Sequence, residues 1–465
     1  MRGRDDVGGH AGGAAELGGQ SPDRLARLMG LYIVIAVGKI GDIVPGLHNL
    51  PLAKIVAVLA IITAMRSRTA SDTANWKSIP PAKLTIAVMA IATLSILWSV
   101  LRSASFLIVI GTVPAVIVPM ILVIKASRGW TQVKTILHGA VFASFALVVT
   151  VFRTGVNDGY GQRAGYSASY DPNDFAFVLS GLLPLVITFG IVSRGVKRLV
   201  YFGIAGLTII AMLLTQSRGG FLGLMIDVVA MTFLLPVARR GRLQFRTSIW
   251  GVAGRAGLLA LVGLIAWHSL PENTRARLDT VSELGSDYNS DISQGGRLAI
   301  WTRNVPLILE RPWGFGAGSF QAVDGLYAGG KFRAPHNTLV QALIELGIPG
   351  FLLFISTIVS SMLYLRVPQD EHPEKATIAA QDEPRAFARG LLIGWMGLCI
   401  SGFFLSELTS STLWTFVTLC CAVGIVRRQP TATIVVGAMV AHVAAPRIPD
   451  KKRSFSVRAA AKTTP

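Results

Sequence analysis

The sequence predicts an all-α, polytopic membrane protein with about twelve transmembrane helices and one long external loop that contains short helices. Three observations carry this. Of 465 residues, 52% are hydrophobic and only 15% charged, where a soluble domain carries about a quarter charged. Apolar runs that approach the roughly 17–25 residues a membrane helix needs recur along most of the chain. Basic residues gather in short clusters between alternate runs.

Taken in order, residues 1–26 are rich in Gly, Ala and charge, with Arg2, Arg4, Asp5 and Asp6 and no apolar core before a cleavage site. They read as a disordered cytoplasmic tail rather than a signal peptide. The transmembrane domain follows over 27–427, with spans near 27–45, 50–65, 82–101, 105–125, 134–152, 174–193, 198–215, 219–238, 249–270, 338–365, 386–406 and 410–427. The run 431–445 is too short to span, so 428–465, with Lys451–Arg453, reads as a basic cytoplasmic tail.

Orientation follows from the basic clusters. Arg66, Arg68, Lys77 and Lys83, then Lys125, Arg128 and Lys134, then Arg194, Lys197 and Arg198, then Arg239, Arg240, Arg242 and Arg246 occupy one set of loops. The opposite set holds only Arg102, Arg153, Arg163 and Arg218 before the long loop. Both termini are then cytoplasmic, and 153–173, 215–219, 271–337 and 406–410 face outward.

Several classes are disfavoured. Lys+Arg 44 against Asp+Glu 25 gives a net charge of +19, which in a soluble protein would suggest nucleic acid. Here the clusters read as topology signals and contacts to anionic membrane lipids, so no nucleic-acid partner is expected. Cys399, Cys420 and Cys421 lie within spans and make no disulfide framework. No metal-ligand pattern and no phosphate-cradling Gly-Lys-Ser loop is present, so neither metal nor cofactor is expected. The long loop has no twin in the first half, which argues against an inverted-repeat transporter. Lys39 and Asp42, Asp227 and Arg255 are the notable charges inside spans; the first two can pair with each other.

The outward segments carry the candidate site. In the turn Thr215-Gln216-Ser217-Arg218-Gly219-Gly220, Ser217 can cap the next helix, which puts Arg218 beside free amides. Guanidinium and amides then attract the same anion, although an arginine at a span end also serves as a snorkelling interface residue. In the long loop, Arg297, Trp301 and Asn304 fall at i, i+4 and i+7 on one helical face, while Arg303 points elsewhere. An arginine fork beside an indole suits a diphosphate with an adjoining sugar or prenyl unit; it also suits an interfacial belt helix. Pro306 and Pro312 break that helix, and Gly314–Gly318 reverses the chain. Asn337 then caps a short helix that Gly347 ends and Pro349 restarts, which leaves His336 at a helix N-terminus. There the dipole disfavours imidazolium, and a neutral histidine can take a proton from an attacking hydroxyl. Tyr160, Tyr166 and Tyr170 precede the run Asp171-Pro172-Asn173-Asp174. Tyr170, Asp171, Asn173 and Asp174 suit sugar hydroxyls and, equally, an interface belt and a helix cap.

The SRGG turn, the R-x-x-x-W helix, Pro312–Gly316 as Pro-x-Gly-x-Gly, and His336-Asn337 followed by Glu345–Gly350 as E-x-G-x-x-G together resemble the O-antigen ligase and polymerase superfamily of bacterial membrane glycosyltransferases. The resemblance is specific between about Thr215 and Leu365. It implies an outer-leaflet site in the inner membrane, a glycan on undecaprenyl diphosphate as donor, and an acceptor glycan or lipid A core. It implies that Arg218 and Arg297 bind the diphosphate, that His336 activates or orients the acceptor hydroxyl, and that no metal is required. Ser217, Trp301, Arg303, Asn304, Asn337 and Glu345 are supporting candidates. Ligase and polymerase share this machinery, and a flippase for lipid-linked sugars is the rival from another class.

Overall fold

The computed structural model describes residues 12–44, 46–47, 50–66, 76–154, 163–239, 242–245, 249–279, 296–366 and 375–429. By contacts the chain divides into Met1–Arg428 and Gln429–Pro465. Tyr160, the run 431–445 and nearly all of the basic tail lie outside the described residues.

The protein is a helix bundle. Helices α1 (Gly12–Ala36), α2 (Ile40–Ile43), α3 (Leu52–Arg66), α4 (Pro80–Leu94), α5 (Arg102–Ala126) and α6 (Trp130–Thr154) form the first half. Then come α7 (Pro172–Val192), α8 (Gly195–Leu214), α9 (Arg218–Leu234), a hairpin of β1 (Val237–Arg239) and β2 (Arg242–Gln244), and α10 (Ile249–Ser269). The long loop contains α11 (Glu272–Asp279), α12 (Arg297–Asn304), a 3-10 turn at Val305–Leu309 and α13 (Phe320–Leu326). Helices α14 (Thr338–Tyr364), α15 (Lys375–Gly402) and α16 (Ser411–Arg427) complete it.

Each expected span falls on a helix, but among the described residues six helices are long and apolar enough to cross a membrane: Pro80–Leu97, Arg102–Ala126, Trp130–Thr154, Pro172–Val192, Gly195–Leu214 and Thr338–Tyr364. Six helices make up the shortfall: α3 has 15 residues and α9 and α16 have 17 each, α10 counts as apolar only over Ile249–Ile265, and α1 and α15 carry charged residues along part of their length. Helix α1 also begins within the stretch 1–26 expected as a tail.

Helix α7 is the centre: 83% of its apolar window is buried inside the protein, against 28% for α8. It packs on α15, where a Cβ at Gly394 would stand 2.3 Å from the Gly181 carbonyl oxygen. Only small residues permit two helix backbones to approach so closely. Asp227 of α9 is fully buried beside Gly397 of α15, where a Cβ would come 2.5 Å from its carboxylate.

The two ends of the bundle differ in chemistry. At one end, arginines bind helix C-terminal carbonyls: Arg389 donates to Leu234 O, Arg427 to Leu365 O and Arg428 to Tyr364 O. Cations there oppose the negative ends of the helix dipoles. At the other end the start of α7, α9, α14 and α16 meets the end of α15, and the candidate residues lie there.

Candidate functional site

The hub of that end is the turn 403–410 between α15 and α16, of which the sequence marks only 406–410 as an outward segment. Thr338, the first residue of α14, sets its Oγ1 2.9 and 2.8 Å from the carbonyls of Gly402 and Leu405 and accepts the Glu407 N–H at 3.0 Å. Leu408 N–H donates to Gln341 Oε1, and the Trp414 indole donates to Leu408 O. These bonds satisfy backbone groups that would otherwise be stranded in a buried turn.

His336 leans on this hub. Its N–H donates to Ser406 Oγ at 3.1 Å, and its φ of 44° is left-handed. A non-glycine residue there costs on the order of 1 kcal/mol, so the surrounding contacts hold it in place. Asn337 caps α14 as expected, accepting from Leu339 and Val340 N–H. The helix kinks at Gly347, whose φ is 72° and ψ −176°, just before Pro349.

Helix α12 docks on the same turn. The Trp301 indole donates to Pro335 O at 2.7 Å, and its ring meets Phe403 edge-on at 5.5 Å. Arg297, one turn earlier, holds its guanidinium carbon 5.8 Å from the Phe404 ring centre. Phe404 in turn packs on the SRGG turn, because a Cβ at Gly219 would stand 3.0 Å from Phe404 Cβ. Ser217 caps α9 by accepting the Gly220 N–H at 3.2 Å, which leaves Arg218 as the first residue of that helix, half-buried. The Arg297 guanidinium and Gly219 therefore both lie against Phe404.

The DPND run completes the rim. Asp171 accepts from Asn173 and Asp174 N–H, and Asp174 Oδ2 accepts the Asp171 N–H, a full capping box. Asn173 Oδ1 accepts from Arg163, whose Nε also donates to Thr215 O at 2.9 Å. Arg163 thus ties the cap of α7 to the turn bearing Arg218. Sequence reading missed this role, since nothing local couples residue 163 to 215.

Electrostatics favour a neutral imidazole. Loss of water around His336 and then the positive charge of Arg297 hold it below its ordinary value of 6.5, with Arg333 adding to the effect and Asp171 opposing it. Arg297 and Asp171 are therefore both within electrostatic reach of the ring.

Several supporting candidates have partners within the scaffold. Arg303, on another face than Arg297 as its spacing implies, shares a partner with Asn304, which helical spacing placed on the Arg297 face: Arg303 Nε donates to Asp324 Oδ1 at 2.7 Å and Asn304 Nδ2 to the same oxygen at 2.8 Å. Arg333 N–H donates to the other oxygen. Burial opposes ionisation of Asp324, yet these donors hold its pKa below the usual carboxylate value. Asp324 carries no local signal in the sequence, because its side-chain partners Arg303 and Asn304 lie twenty or so residues away. Glu345 is buried in the scaffold, its Oε2 accepting the Gly318 N–H at 2.8 Å and its carbonyl the Gly316 N–H. It holds the glycine turn that Gly314, Gly316 and Gly318, all at positive φ, allow. Tyr170 spends its hydroxyl on Thr412 at 3.0 Å and its ring face on Lys39 at 4.9 Å.

Beside the hub, a partly open apolar groove runs between α14 and α15, lined by Phe177, Leu339, Phe354, Trp395 and Phe403, with Thr338 and Glu407 as polar members. Among the described residues, no three His, Cys, Asp or Glu side chains group as metal ligands would.

Arg218, Arg297 and His336 fall in one stretch of chain, while Arg163, the 170–174 run and the turn 403–410 lie outside it. Residues 203–355 match the family model described as O-antigen ligase. The matched segment runs from α8 into α14 and contains Arg218, Arg297 and His336. It supports the resemblance to the O-antigen ligase and polymerase superfamily read from the SRGG, R-x-x-x-W, HN and E-x-G-x-x-G motifs. No curated protein matches the chain.

Proposed function

We propose that this chain is a membrane glycosyltransferase that moves a glycan from undecaprenyl diphosphate to an acceptor hydroxyl at the outer face of a bacterial inner membrane. The observation that carries the reading is the meeting of Arg297, His336 and the SRGG turn around Phe403, Phe404 and Ser406. In the reaction the acceptor oxygen attacks the anomeric carbon, the bond from that carbon to the diphosphate oxygen breaks, and undecaprenyl diphosphate leaves with the electron pair. His336, neutral near pH 7, takes the hydroxyl proton. Arg218 and Arg297 neutralise the leaving diphosphate, so charge stabilisation by fixed guanidinium groups is the main catalytic contribution and no metal is called for. The apolar groove beside Phe403 suits the start of the isoprenoid tail. Both termini are cytoplasmic in this reading, and the acceptor is a lipid A core sugar or the next lipid-linked repeat, with ligation preferred over polymerisation.

The test is transfer by purified protein in vesicles with undecaprenyl-diphosphate glycan and acceptor, without a membrane gradient. Transfer that is lost in Arg218→Lys and Arg297→Lys supports the reading, because lysine keeps charge but not the fork. Flipping of the donor without transfer would replace it with a transporter.

A further inference from the structure

The proposed reaction leaves unused the opposite, arginine-bearing end of the bundle. There a partly open groove runs along α14 and reaches Pro80 at the start of α4. Ile355, Val359, Ser360 and Leu363 line it, and Tyr364 and Arg428 follow where α14 ends. Ile355, Val359 and Leu363 recur at every fourth residue, so they make one apolar ridge about 12 Å long. Ser360 stands one turn before Tyr364, about 6 Å deeper along the helix. A cation at the helix end, a hydroxyl one turn in and an apolar ridge beyond it follow the order of phosphate, ester and acyl chain in a glycerophospholipid. We propose that this groove binds one anionic glycerophospholipid, with its phosphate on Arg428, its glycerol esters beside Ser360 and an acyl chain along Ile355, Val359 and Leu363.

Arg428 is held in place for this role. Its guanidinium carbon lies 3.8 Å from the Tyr364 ring centre, and Tyr364 is pressed on α16, where a Cβ at Gly424 would stand 2.3 Å from the ring. Nη1 donates to Tyr364 O and Gly424 O, and Nη2 to Arg366 O. A guanidinium has five N–H donors, so the Nε–H and one Nη2 N–H of this exposed side chain are left for a ligand. Charge decides which headgroup suits. Arg427 donates to Leu365 O while its buried Nε has no acceptor. Arg385 and Arg389 both stack on Phe245, at 4.4 and 4.8 Å, and their charges bear on Arg427 together with that of Arg428. Among the described residues, none of these four arginines nor Arg366 makes an ion pair. The C-terminal ends of α9, α14 and α16 offset only about half a charge each, and Asp382 opposes Arg385 alone. Positive charge is left over, which a net-negative headgroup neutralises and a zwitterionic one does not. Inorganic phosphate would meet the charge but leave the apolar ridge uncovered.

The inference does not depend on glycan transfer, so binding alone tests it. The full chain is purified in detergent, stripped of lipid and titrated with phosphatidylglycerol, phosphatidylethanolamine or inorganic phosphate. Native mass spectrometry reads the bound lipid, and thermal unfolding reads the stabilisation. Wild type should retain one phosphatidylglycerol and melt higher with it, gain less from phosphatidylethanolamine and nothing from inorganic phosphate. Arg366→Gln, at an exposed side chain that makes no bond among the described residues, should weaken phosphatidylglycerol binding about fivefold, the effect of one basic residue near an anionic lipid. Val359→Trp fills the groove and leaves every arginine in place. It should lose the bound lipid while melting as lipid-free wild type does. Equal retention of both phospholipids would overturn the proposal, as would full stabilisation by inorganic phosphate or a Val359→Trp protein that binds as wild type. Binding that appears only after Asp370→Asn, Glu371→Gln and Glu374→Gln would overturn it too, and would assign the arginines to that acidic stretch of the chain.

Discussion

Replacing Arg303 separates scaffold from ligand-binding arginines. Asp324 is fully buried and Arg303 17% exposed, 2.7 Å apart, with Asn304 and the Arg333 N–H as the other donors. Arg303→Met deletes one partner and leaves a buried carboxylate short of its charge-assisted bond. Breaking a buried pair in this way costs about 3–5 kcal/mol. Proton uptake by Asp324 relieves part of that, so the lower end applies, equivalent to about a hundredfold rise in the open population of the loop. Hydrogen exchange over 296–334 reads that population. Arg303→Met with Asp324→Asn removes both charges and should recover much of the protection, a coupling a double-mutant cycle measures. Glycan transfer should follow protection: impaired in Arg303→Met and largely restored in the double variant. A double variant that is well protected yet as inactive as Arg303→Met would refute the reasoning, because Arg303 would then act on the substrate.

Other outcomes follow from the same geometry. Arg297→Gln should raise the pKa of His336 toward 6.5 by removing a repulsive charge, as NMR of labelled histidine would show; no change would separate the two side chains. Because His336 lies below 6.5, protonation disables it only on the acid side, so the acid limb of transfer should fall below pH 6.5. Gly220→Ala places a Cβ 2.2 Å from Ala176 Cβ and should lower thermal stability by about 1–3 kcal/mol; an unchanged melting temperature would mean that α7 and α9 separate easily. Arg163→Gln should cost about 1.5–3 kcal/mol in local stability around Thr215 and Asn173, visible as faster exchange of the 213–220 amides.

Local chemistry explains which parts were legible beforehand. Helix intervals followed from apolar runs, and the caps at Asp171, Ser217 and Asn337 followed from residues that bond amides two or three positions on. The break at Gly347 and the glycine turn were readable for the same reason. Arg163 and Asp324 were not, because each acts through partners remote in sequence: Thr215 and Arg303. Helical spacing put Asn304 on the face of Arg297 and Trp301, yet it reaches Asp324, since a residue at the end of a two-turn helix has room to swing toward a buried charge. The loop 403–410 offered no pattern of its own; its importance comes from Thr338 and Gln341 on another helix.

The central claim is that Arg218 and Arg297 grip one diphosphate beside His336. The most direct measurement is a cryo-electron microscopy map of the protein in nanodiscs with undecaprenyl diphosphate bound. The account predicts the diphosphate between the two guanidinium groups, within hydrogen-bond reach of both and next to the His336 ring. Diphosphate density at the opposite, Arg389 and Arg427 end of the bundle, with nothing beside Phe404, would contradict it.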